Sequence, residues 1–116
     1  MRETDHLTGL WSRQHFYKIA VMEHERALRY EHPIALLLFD IAHFKDTNDR
    51  YDEFVVLMPM GTLETANQVA ERIRLALQNH VFAHDLRLSI RCGMGEWALQ
   101  QETVDDLLAR VGREMR

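Results

Sequence analysis

The sequence contains a single cysteine, Cys92, in 116 residues. An internal disulfide framework is therefore excluded, and this usage suits a reducing compartment. Basic charge is also lacking: the formal net charge is −4 with neutral histidines, so no field draws the chain non-specifically to nucleic acid. No apolar run approaches the roughly 20 residues of a membrane-spanning helix, and the opening MRETDHLTGL has no apolar core of a secretory signal. The expectation is a cytoplasmic protein, or a cytoplasmic domain of a larger one, without membrane insertion. Proline occurs only at Pro33 and Pro59. Pro33 forbids continuation of a helical stretch, and Pro59 with Gly61 stops an apolar one. Repeats and low-complexity linkers are absent, so residues 1–116 read as one domain with one modest core.

What is present is a regular alternation of elements. Ser12 is placed to cap a helix through about Tyr30, with Phe16, Ile19, Ala20, Ala27 and Leu28 on its inner face. Ile34–Phe39 and Phe54–Met58 are continuous apolar runs of strand length. Between them Ala42–Arg50 is polar apart from Phe44, with room for a turn or two of helix. Thr62 caps a helix whose Leu63, Ala66, Val69, Ala70, Ile73 and Leu77 keep helical spacing, ended by Asn79 and His80. Leu86, Leu88, Ile90, Cys92 and Met94 alternate with Arg87, Ser89, Arg91 and Gly93, the pattern of a strand with one face toward water. Thr103, with Asp106 three residues on, has the spacing of a capping box. It opens a last helix striped by Val104, Leu107, Leu108, Val111 and Met115. Helices on one or both faces of a small sheet are expected.

The two apolar runs carry acid where they meet the polar segment between them. Asp40 closes the first, and Asp52 and Glu53 open the second. If the runs are antiparallel neighbours, three carboxylates converge at one edge of the sheet. Like charges beside an apolar core need protons or a cation, and all-oxygen ligation suits Mg²⁺ rather than Zn²⁺. Each residue alone has a plainer account: Asp40 as a helix cap, Asp52 and Glu53 as turn acids, Asn48 as a turn residue, Lys45 as a solvated lysine. Cys92 suits a small core residue better than a nucleophile. His80 and His84 straddle an expected helix end, so no zinc site is expected there. Arg72, Arg74, Arg87 and Arg91 suit a solvated face better than a phosphate-facing or inhibitory-product patch.

Asp5-His6-Leu7-Thr8-Gly9-Leu10-Trp11-Ser12-Arg13 resembles the D-x-L-T-G-L-x-N-R opening of the GGDEF domain family, the diguanylate cyclases. Phe39–Asp49 is similar to its F-D-I-D-x-F-K-x-I-N-D stretch, and Asp52-Glu53-Phe54-Val55-Val56-Leu57 to the second half of GGDEF-x-x-L. Ala70–Arg74 and Ser89–Gly93 resemble a further helix and a further strand motif, so the likeness covers nearly the whole chain in order. It implies an α/β (α+β) fold: a ferredoxin-like palm of the nucleotide cyclase type, its central, mainly antiparallel sheet flanked by helices. The activity implied is condensation of two GTP molecules to cyclic di-GMP and pyrophosphate across a homodimer, under the control of a fused sensor domain. Mg²⁺ or Mn²⁺ would be held by Asp40, Asp52 and the Ile41 carbonyl. Asp52, supported by Glu53, would assist catalysis. Asn48 would read guanine, while Lys45 and backbone N–H groups near Phe44 would hold phosphate. A cation would lower the pKa of the attacking hydroxyl and balance charge on the leaving pyrophosphate.

The chain departs from this pattern in one central place. Both glycines of the signature are missing, and Tyr51 directly precedes Asp52. A helix and a strand that the family places between Asn48-Asp49 and Asp52 require on the order of 25 to 40 residues with their connections; only Arg50 and Tyr51 stand there. The 116 residues also end before the family's late Lys and Arg phosphate contacts, and Ala42 replaces a usual acid. Either a segment is missing from the sequence or the deletion is real. The well-formed flanking motifs, and the unpaired edge that a lost strand would leave, favour the first. A real deletion would instead give a degenerate module that binds GTP or cyclic di-GMP, or serves as a protein-interaction scaffold.

Overall fold

The structure is a computed structural model that describes residues 13–44, 49–84 and 87–115. α1 (Arg13–Tyr30) ends just before Pro33. Glu31 takes a positive φ of 56°, which lets the His32 N–H donate to the Ala27 carbonyl at 3.2 Å, the Schellman closure of a helix C-terminus. The Ser12 cap expected for α1 lies outside the described residues. β1 (Ile34–Phe44) and β2 (Asp49–Pro59) follow as 11-residue strands. Then come α2 (Leu63–His84), β3 (Arg87–Glu96) and α3 (Val104–Arg113).

The three strands form one antiparallel sheet in the order β2-β1-β3. This is an α+β fold with a sheet flanked by helices, consistent with the palm. Side-chain alternation along β1 divides the core in two. Ile34, Leu36 and Leu38 pack with Ala20 and Ala27 of α1, Leu107 and Val111 of α3, and Trp97. Leu37 and Phe39 pack on the other face with Ala70 of α2 and Cys92 of β3. All five of these β1 residues are buried because the central strand has a neighbour on each side and helices on both faces.

Both strands flanking the polar segment extend further than the apolar runs alone indicate. Ala42–Phe44 and Asp49–Arg50 are strand, not helix. With only a short connection available, antiparallel pairing carries the ladder on to Phe44↔Asp49. α2 likewise runs past Asn79 and His80 to His84. Neither residue is a strong stop, and no glycine or proline follows until Gly93.

The strict alternation read in β3 fails at its end. Arg87, Ser89 and Arg91 are exposed, whereas Gly93 and Gly95 are buried beneath α3. A Cβ on Gly93 would lie 2.5 Å from the Val111 carbonyl oxygen, so glycine allows the helix to sit directly on the strand. The capping box forms: the Asp106 N–H donates to Thr103 Oγ1 at 3.1 Å, and the Thr103 N–H to the Asp106 carboxylate at 3.0 Å. The turn before α3 is tied in by Trp97. Its backbone N–H donates to the Ile34 carbonyl at 2.9 Å and its indole N–H to the Glu102 carbonyl at 3.0 Å. Arg110 donates to both Glu102 carboxylate oxygens, at 2.8 and 2.9 Å, and this hydrogen bonding holds the Glu102 carboxyl below its usual range.

Candidate functional site

The acids lie at the end of the sheet remote from Pro33, where β1 continues past its apolar run. Asp40 is in register with Glu53 of β2 and with Arg91 of β3. The three therefore form a row across the sheet, on the face that α1 and α3 cover further down. Opposed residues of an antiparallel pair have Cβ atoms about 5 Å apart, so the Asp40 and Glu53 side chains are direct neighbours. Arg91 donates from Nη2 to Asp40 Oδ2 at 2.6 Å.

Asp52 is elsewhere. It is in register with Ile41, and adjacent residues of a strand point to opposite faces. Its carboxylate lies 3.0 Å from His43 Nε2, on the α2 side of the sheet. The expectation that three carboxylates converge thus holds for Asp40 and Glu53 and not for Asp52. The reason is the two-residue period of an unbroken strand, which no bulge or turn interrupts between Tyr51 and Phe54.

The other expected site residues distribute as follows. Ile41 is 4% exposed and has ladder partners on both sides, Asp52 and Ile90, a position that puts its carbonyl within the sheet. Phe44 ends β1, partly exposed, opposite Asp49 and Arg87. Lys45 and Asn48 lie outside the described residues. Cys92 is buried against Phe39 and Ala70. Burial pushes its thiol pKa up, which leaves it protonated and unreactive near neutral pH.

Two further participants are His43, not singled out from the sequence, and Arg91, which the sequence pattern places on a solvated face. The signal for both was alternation. His43 is two residues beyond Ile41 and shares its face, while Arg91 belongs to the outward set of β3. Only the register between strands, which no single-strand pattern contains, shows that they meet Asp52 and Asp40.

The fit to a divalent cation can be judged from these donors. Mg²⁺ is commonly held by one or two carboxylates with water and phosphate oxygens, so Asp40 and Glu53 are sufficient in number. They do not fit as they stand, because the Arg91 guanidinium is seated on Asp40 and supplies the positive charge itself. Among the described residues no group of three or more His, Cys, Asp or Glu side chains could hold a metal ion.

A three-stranded antiparallel sheet flanked by helices is consistent with the palm of the GGDEF cyclases. Residues 2–51, fewer than half of the 116, match the family described as diguanylate cyclase, GGDEF domain, and the relatives that follow support the same likeness. Diguanylate cyclase DgcM of Escherichia coli K12 is 27% identical over 138 residues, covering 92% of this chain and 33% of that protein. Response regulator PleD of Caulobacter vibrioides NA1000 is 29% identical over 144 residues, 93% of this chain and 32% of its own length. The uncharacterized protein YhcK of Bacillus subtilis 168 is 27% identical over 125 residues, 78% of this chain and 35% of its own. The chain thus spans about a third of the length of these relatives. No solved structure matches it. Since 92% of 116 residues is about 107, the 138-residue match with DgcM includes about 31 positions with no counterpart here. The family match ends at Tyr51, immediately before Asp52. Among the described residues, no helix is long and apolar enough to cross a membrane.

Proposed function

We propose that this chain is a non-catalytic GGDEF-family module, one part of a longer signalling protein, that keeps the palm and its acidic row without condensing GTP to cyclic di-GMP. The observation that carries this reading is the unbroken course of β2 from Asp49 to Pro59, with Tyr51 paired to Ala42 immediately before Asp52. A nucleotide triphosphate is brought against a backbone where glycines allow close approach and irregular geometry. A regular strand bearing an exposed tyrosine offers neither. The separation of Asp52 from Asp40 onto opposite faces supports the same reading, because an ion cannot be shared between them through the sheet. So do the roughly 31 positions of a relative named as a diguanylate cyclase that have no counterpart here. The remaining role is nucleotide sensing or protein contact within a larger assembly.

The test is turnover. The protein, held at high concentration to favour homodimers, is incubated with GTP and either Mg²⁺ or Mn²⁺, and cyclic di-GMP is measured by chromatography and mass. No product above a protein-free blank is expected. Sustained formation of cyclic di-GMP with release of pyrophosphate would overturn the proposal. A second reading, an active Mg²⁺-dependent cyclase, is favoured by one observation, the direct pairing of Asp40 with Glu53, and predicts that product.

A further inference from the structure

We propose that Arg91 is the built-in counter-cation of the acidic row: it holds Asp40 in place of a divalent ion and disfavours binding of one. Like charges directly opposed across strands are destabilising, so the Asp40–Glu53 pair needs a positive neighbour. Arg91 is that neighbour, in register with Asp40 on the side away from Glu53. Its hydrogen bond to Asp40 Oδ2, at 2.6 Å, has the short length of a charge-assisted contact. The guanidinium is fixed to the chain, so it reaches Asp40 at an effective concentration that a free ion in solution does not match.

A divalent ion approaching Asp40 meets this positive charge within a few ångströms, and its repulsion is twice that between unit charges at the same distance. The Arg91 side chain is 60% exposed, so water and salt screen the effect strongly. The expected penalty is therefore about tenfold in metal affinity rather than absolute exclusion. This inference rests on the reading of the row as the counterpart of a cyclase metal site. It is independent of whether GTP is turned over, and its test uses no nucleotide.

The probe is Mn²⁺ alone, titrated into the full chain and followed by the electron paramagnetic resonance of the free ion. Arg91→Gln is expected to bind Mn²⁺ about tenfold more tightly than the wild type. Arg91→Lys, which keeps the charge, should stay near the wild type, and Arg87→Gln, four register pairs away on the same strand face, should not show the gain. Adding Asp40→Asn to Arg91→Gln should abolish it. Because Arg91 is on the surface, its replacement leaves the two core clusters intact, and thermal melting checks that each variant is folded. The proposal is overturned if wild type and Arg91→Gln bind Mn²⁺ equally, if Arg87→Gln gains as much, or if the gain survives Asp40→Asn.

Discussion

Phe39→Ala is expected to lower the stability of the domain by about 3–5 kcal/mol, within the range for truncating a fully buried aromatic side chain. Phe39 is 1% exposed and lies among Ala70, Cys92 and Leu37 in the cluster under α2. It faces Phe54 across β2 and Cys92 across β3, so its ring spans the centre of the sheet. A domain of this size has a total stability of order 5–15 kcal/mol, so the loss is a large fraction of the whole. Thermal unfolding should shift down by roughly 12–20 °C, taking about 4 °C per kcal/mol. Circular dichroism and denaturant titration read the change. Phe39 also directly precedes Asp40, so the same substitution loosens the floor beneath the acidic row. A loss below about 1 kcal/mol would mean that this residue is not the packed centre of its cluster.

The second large effect concerns the smallest side chain change available. Gly93→Ala should cost about 1–3 kcal/mol, because the added methyl group meets backbone rather than a movable side chain. Its Cβ would lie 2.5 Å from the Val111 carbonyl oxygen, 3.0 Å from Met115 Cγ and 3.2 Å from Val111 Cγ1. Relief requires α3 to lift from β3, which uncovers Leu107 and Val111, both fully buried. Gly112→Ala, on α3 itself, is the matched control. Its nearest foreign atom would be Leu38 Cδ2 at 4.0 Å, an ordinary contact, and alanine favours a helix over glycine by up to about 1 kcal/mol. The two substitutions should therefore move the unfolding midpoint in opposite directions. If both are neutral, α3 does not sit on β3 as closely as described.

These two residues also mark what can be read in the sequence. Phe39 stands in a continuous apolar run of strand length, and burial on both faces follows from that run alone. Thr103 with Asp106, and Pro33 after Tyr30, likewise announce helix ends through local hydrogen bonding and steric exclusion, and the structure forms both. Gly93 could not be read in the same way. Its apparent place on the watery side of an alternating strand depends on whether a helix lands there, and only tertiary packing decides that.

The acidic row divides along the same line. That Asp40 and the Asp52-Glu53 pair sit where apolar runs meet polar chain is a local property, and it brought the right strands together. Which of two consecutive acids faces Asp40 is set by the register between strands, where a shift of one residue exchanges the faces. Asp40↔Glu53 and Ile41↔Asp52 are the pairs formed. A longer segment before Asp52 would leave the start of the second strand free to take another path. Here the short connection between Phe44 and Asp49 extends the hairpin, and the ladder continues through Asp52 without interruption.

Disulfide trapping tests this arrangement most directly. In a Cys92→Ser background, Asp40→Cys is combined with Glu53→Cys in one variant and with Asp52→Cys in another, and each is oxidised under mild conditions at low protein concentration. Facing residues of neighbouring strands approach the Cβ separation a disulfide requires, whereas residues on opposite faces direct their sulfur atoms apart. The Asp40→Cys/Glu53→Cys protein should cross-link within the monomer and the Asp40→Cys/Asp52→Cys protein should not. Efficient cross-linking of Asp40→Cys with Asp52→Cys, and none with Glu53→Cys, would contradict the account and return Asp52 to the same face as Asp40.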